Sequence, residues 1–483
     1  MPIIIPANSA ASGGFEVANS CVFDSASSDY LYDNDNFANN TSTKKFTISF
    51  WVKRSSLGGN QSIYSSRNDN SYSAVVKFKT DNTIEVSDVR NDSDALQVVT
   101  NRVFRDTSAW YHIVVSSDVS ISSPVLKIYV NGVQETSFAT SNQYSQNETT
   151  SFNNAYPQQV ASHNGDYFDG YLAQVAFIDG YAYAADSFGE FDDDSGVWKP
   201  INISALTTGA NGRLFKFEDS SALANNSYSS SNFTVANLTA INQTTDTCTN
   251  NFATWNNVST WRGSNITTQS VLSQGNLKIS GMANANKVQF QSTIGVKSGK
   301  WYWEAKVDSV SKMFYGVANS QGMNESNSPV GGTLYIGVFY YENTPYFAYS
   351  ANSSESTTGI ASISSGDILN FALDCNEQTF YIGKNGTYMN SGNPASGGTG
   401  TGAINRLFNY ASSLFALNGA PTEMFPTAFV SSTSGTGAAQ YNFGNPTYTG
   451  TDKSDDNDKG SFEYQPPAGY LALCTANLSE TNS

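Results

Sequence analysis

Phe46-Thr47-Ile48-Ser49-Phe50-Trp51-Val52-Lys53 decides the fold class. Phe46, Ile48, Phe50 and Val52 fall on one face of an extended chain, and Thr47, Ser49 and Lys53 on the other. That period of two belongs to a strand packed on a core. Similar runs follow at Trp110-Tyr111-His112-Ile113-Val114-Val115 and Leu126-Lys127-Ile128-Tyr129-Val130, the latter leading into Asn131-Gly132, a strong hairpin signal. Gly170 to Ile178 is another strand and ends at Asp179-Gly180. Ser187, with Glu190 three residues on, is spaced to cap one short helical turn.

The same texture returns downstream. Trp301, Trp303, Ala305 and Val307 share one face, with Glu304 and Lys306 opposite. The turn Ser365-Gly366-Asp367 leads into Ile368 to Asp374, where Leu369, Phe371 and Leu373 alternate. Phe380-Tyr381-Ile382, the turn Lys384-Asn385-Gly386, Phe425 to Val430 and Tyr441-Asn442-Phe443-Gly444 close the block. Strands alternate with turns and no helix-length crossover intervenes, so the sheets are antiparallel.

Composition agrees. Of 483 residues only 14% are charged and 13% are aromatic, which argues against disorder. Scarce Leu, Glu, Lys and Arg argue against a helical protein. A net charge of −16 leaves no Lys/Arg surplus for a phosphate backbone, so nucleic acid is not an expected partner. No run reaches the ~18 apolar residues of a membrane span, and Met1-Pro2-Ile3-Ile4-Ile5-Pro6 has no basic residue ahead of its short apolar run, unlike a secretory signal. Cys21, Cys248, Cys375 and Cys474 form no CxxC pair and read as reduced, mostly buried side chains.

The expectation is therefore all-β: two antiparallel β-sandwiches joined by an extended connector, with 1–200 the first sandwich, 201–265 a connector carrying one or two strands, 266–450 the second sandwich and 451–483 a C-terminal tail. The blocks do not align with each other as repeats.

Two families are resembled. Phe46 to Val52, Trp110 to Val114 with Leu126 to Gly132, and Phe168-Asp169-Gly170 leading to Val175-Ala176-Phe177-Ile178 resemble a laminin-G-like, concanavalin-type lectin domain. Ser298-Gly299-Lys300-Trp301-Tyr302-Trp303-Glu304, Gly366-Asp367-Ile368 with Ala372-Leu373-Asp374, Asn385-Gly386 and Tyr441-Asn442-Phe443-Gly444 resemble a SPRY domain. Leu214 to Ser221, Thr249 to Asn256 and Pro466 to Leu478 are similar to segments of tailed-bacteriophage virion proteins of marine hosts. The resemblance implies a virion protein made in the host cytoplasm: a tail fibre, appendage or spike that meets a host-surface glycan or protein receptor alongside other virion proteins. No heptad run specifies a coiled-coil shaft, so the expected homo-oligomer forms through sandwich faces.

Candidates for chemistry are few. There are two histidines, and His112, inside a strand, reads as structural. No Gly-x-Ser-x-Gly or HExxH motif occurs. Paired carboxylates for glycoside hydrolysis reduce to Glu190-Phe191-Asp192 and Asp33-Asn34-Asp35, both in expected loops. Asp166 and Asp169, with Asp33, Asp35 and Asp192 to Asp194, offer oxygen ligands suited to Ca²⁺; no other cofactor is expected. Gly398-x-Gly400-x-Gly402 lacks the strand–turn–helix context of a phosphate cradle. Aromatics at a hairpin tip stack on sugar faces, and Tyr340, Tyr341, Asn343 and Tyr346 around Glu342-Asn343-Thr344 are the expected carbohydrate or receptor contacts. The reading is a non-enzymatic virion protein without membrane insertion; the alternatives are a capsid-decorating protein and a glycan hydrolase.

Overall fold

The computed structural model describes residues 14–34, 39–262, 271–281, 287–319, 335–341, 344–349, 354–408, 412–417, 420–431, 437–448 and 450–480. Strands dominate, and the two α-helices among these residues, Ser412–Phe415 and Thr475–Glu480, are single turns. The chain divides in sequence between Asn251 and Phe252 into two compact units.

In the first unit, one sheet runs from edge to edge Val133–Gln134, Lys127–Val130, Tyr111–Asp118, Lys45–Arg54, Gly170–Asp179, Ser20–Phe23 and Gln243–Thr244. Arg213–Phe215 pairs with the second half of Gly170–Asp179. A bulge makes that double pairing possible. The register shifts between Ala173 and Ala176, with Gln174 at φ 43°, so the strand bends and changes neighbours. The facing sheet runs Phe138–Asn142, Ser93–Val103, Thr83–Arg90, Tyr72–Phe78, Gln61–Arg67, Gln158–Val160, Tyr30–Asp33 and Thr234–Ala236. Phe46, Ile48, Phe50 and Val52 meet Ile63, Val76, Val86 and Val98 in the core between the sheets.

The other face of the first sheet is buried as well. Trp51, Val114, Tyr129, Ala176 and Ile178 pack against Ala185, Phe188, Trp198, Ile203 and Leu214. Thr47, Ser49 and Lys53 consequently lie under a covering layer, not in water. The turn expected after Ser187 forms one turn earlier, as a 3₁₀ helix over Ala185–Ser187 without a side-chain cap, and Glu190 enters the strand Gly189–Phe191.

The expected connector is also folded. Residues up to Asn251 complete the first unit through Arg213–Phe215, Thr234–Ala236 and Gln243–Thr244, while Trp255–Arg262 opens the second. Polar side chains hold this segment where apolar periodicity is missing. The Asn226 carbonyl accepts from the Leu214 and Tyr228 amides, and its NH₂ reaches Gly212 O and Ser229 Oγ. Beneath the end of the segment lies an ion pair: Lys53 Nζ reaches Asp246 Oδ2 at 2.8 Å and Asn251 Oδ1 at 2.7 Å. The other Asp246 oxygen accepts Trp110 Nε1 at 3.1 Å. Both charges are fully buried. Burial pushes the Lys53 pKa down and Asp246 pushes it back.

In the second unit, one sheet runs Trp255–Arg262, Lys287–Ser292, Met424–Ser431, Met313–Asn319, Tyr335–Tyr341, Thr344–Tyr349 and Ser354–Ser356. The other runs Val271–Ser273, Lys278–Ser280, Ala438–Asn442, Lys300–Ser309, Ile368–Asp374, Thr379–Lys384 and Thr387–Tyr388. Trp301, Trp303, Ala305 and Val307 enter the core, where Trp303 stacks on Phe371 at 5.3 Å.

The expected tail belongs to this unit. Leu471–Ala472 pairs in parallel with Trp301 and Tyr302, and Phe462, Tyr470 and Ala472 pack on Tyr302 and Tyr381. Glu304, on the polar face of Lys300–Ser309, is the peg. Its oxygens accept from the amides of Glu463 and Tyr464, both at 2.9 Å, from the Tyr302 and Tyr448 hydroxyls, and from the Asn370 and Asn442 amides. Burial raises its pKa against those bonds.

The four cysteines are free thiols. Among the described residues no helix is long and apolar enough to cross a membrane.

Candidate functional site

The covering layer of the first unit leaves a pocket of about 410 Å³ over the edge strands. Its walls are Tyr129 and Gly132 from the sheet and Ala184, Ala185, Asp186, Gly189, Glu190, Phe191 and Trp198 from the layer above. Asn131 and Gly132, at φ 48° and 80°, make the tight turn that their sequence predicts. The turn is tied down by reciprocal bonds with the His112 backbone: Asn131 N donates to His112 O at 2.9 Å, and His112 N to Asn131 Oδ1 at 2.7 Å.

Trp198 is the floor. A Cβ on Gly132 would lie 2.3 Å from its six-membered ring, and one on Gly189 2.6 Å from it, so glycine at both positions lets backbone lie against the indole. The indole N–H donates to His112 Nδ1 at 3.0 Å. Because Nδ1 accepts, the imidazole proton sits on Nε2, which faces Ser49 Oγ at 2.9 Å. Burial lowers the His112 pKa to about 3, keeping the ring neutral. Trp51 stacks behind it at 4.6 Å and Trp198 before it at 5.9 Å. His112, expected as structural, therefore fixes the rotation of the pocket's tryptophan.

Above this floor Phe191 meets Trp198 edge-on at 4.9 Å, yet leaves 49% of its surface exposed. At one wall the Tyr129 hydroxyl has its pKa raised by burial and by Asp186, which places a carboxylate beside it. The pocket thus offers an exposed aromatic face, a phenolic hydroxyl and an exposed acceptor, the mixture that suits a polyol with an apolar face.

The expected hydrolase pair lies on the same hairpin in another state. Lys199 bridges Glu190 and Asp192, at 3.3 Å each. Asp192 also accepts from the amide and hydroxyl of Ser195, which hold its pKa down to about 2. Asp192 is thus held ionised, whereas a glycosidase acid needs a raised pKa. Asp33 pairs with Arg213 at 3.3 Å; Asp35 lies outside the described residues.

Of the expected sugar contacts, Tyr340 and Tyr346 fall on opposite faces of their hairpin. Tyr335–Tyr341 and Thr344–Tyr349 do form a hairpin, pairing Tyr341 with Thr344. Alternation sends Tyr340, 8% exposed, into the core with Val338, while Tyr346 packs half-buried on Phe339 at 5.5 Å on the other face. Asn343 and the side chain of Tyr341 lie outside the described residues.

Nor does a calcium cage form from Asp166 and Asp169. Asp166 stands across a two-residue ladder from His163. Asp169 is pushed up to about 7 by burial, with Asp24 and Asp29 adding to the shift and Arg54 opposing it. One oxygen each of Asp29 and Asp169 is buried without a partner, but among the described residues no group of three or more His, Cys, Asp or Glu side chains could hold a metal ion. The donor set does not fit Ca²⁺.

Trp198 escaped the sequence reading because its partners, His112 and Gly132, are distant in the chain. The nearest signal was the Asn131-Gly132 turn, whose small second residue admits a ring.

Residues 25–186 match the laminin G family model described as the concanavalin A-like lectin/glucanases superfamily. No curated protein matches the chain significantly. Among solved structures the chain is similar to the SPRY domain of human HERC1, at 14% identity over 39% of this chain and 96% of that one, with TM-score 0.25. It is similar to domains LG4-5 of mouse laminin alpha1, at 9% identity over 96% and 89%, with TM-score 0.30. A third is the SAP-like pentraxin of Limulus polyphemus, at 13% identity over 35% and 80%, with TM-score 0.26. At these identities and scores the likenesses carry no argument about function.

Proposed function

We propose that this chain is a glycan-binding protein without catalytic activity, and that the pocket over Trp198 takes the sugar. The observation that carries this reading is Trp198 itself, held between two glycines and oriented by a neutral histidine beneath an exposed Phe191. Such a pocket is rigid before any ligand arrives, so little ordering opposes binding. The lectin-type family match over 25–186 supports the same class of ligand. Lys199, clamping Glu190 and Asp192, supports binding without hydrolysis.

The finer reading is a virion protein: a tail fibre or appendage of a tailed bacteriophage, with a SPRY-like second unit, meeting a host-surface glycan or receptor. Its support is the set of sequence resemblances, above all Leu214 to Ser221 and Pro466 to Leu478. Capsid decoration is the alternative, and a homo-oligomer remains part of the proposal.

The test is adsorption of the purified chain to host cells. Binding is expected to be competed by host polysaccharide and weakened several-fold by Phe191→Ala, with no reducing sugar released. Adsorption indifferent to Phe191→Ala would remove the pocket from the reading, and released reducing sugar would make the protein an enzyme.

A further inference from the structure

The facing sheet of the first unit carries a second aromatic surface. Tyr30 and Tyr32 flank Leu31 on the strand Tyr30–Asp33. Leu31 is in the core, so alternation places Tyr32 on the outer face, while Tyr30, at the strand's start, packs in part against that core. Their rings are 5.6 Å apart. A third ring, Tyr167, lies 6.0 Å from Tyr30. It comes from the small hairpin Ser162–His163 and Asp166–Tyr167, which Ser65 pins down by donating its hydroxyl to Ser162 O at 2.7 Å. All three tyrosines are half-buried. Burial raises the Tyr30 pKa, and the neighbouring Tyr167 and Tyr32 add to the shift.

The flanks are polar. Gln159 and Thr234 stand directly opposite Tyr32 on the two neighbouring strands, Gln159 half-buried and Thr234 exposed. Charge around the surface is mixed: Asp29 is 2% exposed, Asp33 falls on the inner side with Leu31 and is bound by Arg213, and Asp166 adjoins Tyr167 opposite His163, which also feels Lys77 and Arg67.

We propose that Tyr30, Tyr32 and Tyr167 form a second carbohydrate-binding platform for extended β-linked polysaccharide chains. Successive phenol faces at this spacing match successive pyranose rings of an extended chain, each presenting axial C–H groups to an aromatic ring. Gln159 and Thr234 supply donors and acceptors for equatorial hydroxyls. This surface rests on the reading of the protein as a glycan binder, and a second site on one unit would raise avidity for a repeating polymer without any new contact at the first.

The test is protection of tyrosine from N-acetylimidazole, read peptide by peptide by mass spectrometry on the full chain. Cellohexaose or chitohexaose at about 10 mM, suited to a weak single contact, is expected to slow acetylation of Tyr30, Tyr32 and Tyr167 together. Hexagalacturonate, an α-linked chain without that extended ribbon, is expected to leave it unchanged. Tyr32→Ala should weaken the protection at Tyr30 and Tyr167 about five-fold, with Tyr72 and Tyr156 as controls for intact folding. Phe191→Ala should leave the protection intact, which separates this platform from the Trp198 pocket. No protection by either neutral hexasaccharide, equal protection by hexagalacturonate, or protection that survives Tyr32→Ala would each overturn the proposal.

Discussion

Lys53 in the first unit and Glu304 in the second occupy matching places: each is a charged residue on the polar face of a central strand, buried by the last segment of its own unit. They are satisfied differently. Lys53 is matched chiefly by the opposite charge of Asp246, with a weaker pull from Asp106, and by the Asn251 amide oxygen. Glu304 is matched by neutral donors alone: two backbone amides, two phenols and two side-chain amides. A pair concentrates the stabilisation in two residues, and loss of either strands the other in a medium that cannot solvate it. A carboxylate shared among six donors loses little with any one of them.

The largest expected effect breaks the pair. Asp246→Ala should destabilise the first unit by about 3–5 kcal/mol, read as a lower urea midpoint, with peptide-resolved hydrogen exchange assigning the loss to residues 14–251. A loss confined to the second unit would refute the assignment. Replacing both partners, Lys53→Met with Asp246→Leu, should recover part of that loss; the Trp110 indole N–H is then left without its acceptor.

Acid sharpens the contrast next, because both histidines lie in the first unit. The folded-state pKa of His112 is lowered to about 3, so below its unfolded value of about 6.5 the unfolded chain takes up the proton and the folded chain does not. This contribution is intact above pH ~6.5 and is lost as the pH falls, on the order of 3 kcal/mol by pH 4. Urea melts at a series of pH values should show wild type losing that much relative to His112→Asn. Parallel pH profiles would disprove it. Glu304 has the opposite sign: its folded pKa is raised, so acidification through the carboxylate range does not weaken the second unit through this residue.

Glu304→Gln should cost about 2 kcal/mol, since the new NH₂ must face donors that a carboxylate accepts. The exchange change should centre on 461–464, and protection unaltered there would show that the peg is dispensable. Smallest of all, Tyr448→Phe, which removes one long bond of 3.4 Å, should cost under about 1 kcal/mol; a loss as large as that of Asp246→Ala would erase the distinction between the anchors.

The two anchors also show where sequence reading succeeds and stops. Alternation at Phe46 to Lys53 and Trp301 to Val307, and the turns Asn131-Gly132 and Asn385-Gly386 with both residues at positive φ, announced the paired strands and the sandwiches. Periodicity reports one buried face. It is silent about a second layer, because segments 201–251 and 450–474 are fastened by polar side chains: Asn226, Asp246 and Asp455, the last accepting the amides of Lys459, Gly460 and Ala472. Such bonds leave no repeat in a sequence crowded with Asn, Ser and Thr. The pocket was hidden for the same reason. Trp198 lies in the covering layer, whereas the aromatics singled out earlier, Tyr340 and Tyr346, were in strands whose alternation directs one inward and the other onto Phe339.

The strand Gln243–Thr244 pairs with Ser20–Phe23, so the first unit begins and ends on adjacent rungs of one ladder. Entry and exit of the polypeptide lie side by side, the arrangement that lets a module be spliced into a loop of a foreign host, or its ends be joined and new ones opened elsewhere. A circular permutant cut at the Gly58-Gly59 turn, where Gly58 is exposed, should therefore keep its shape, giving a portable carrier for whichever aromatic surface one chooses to study.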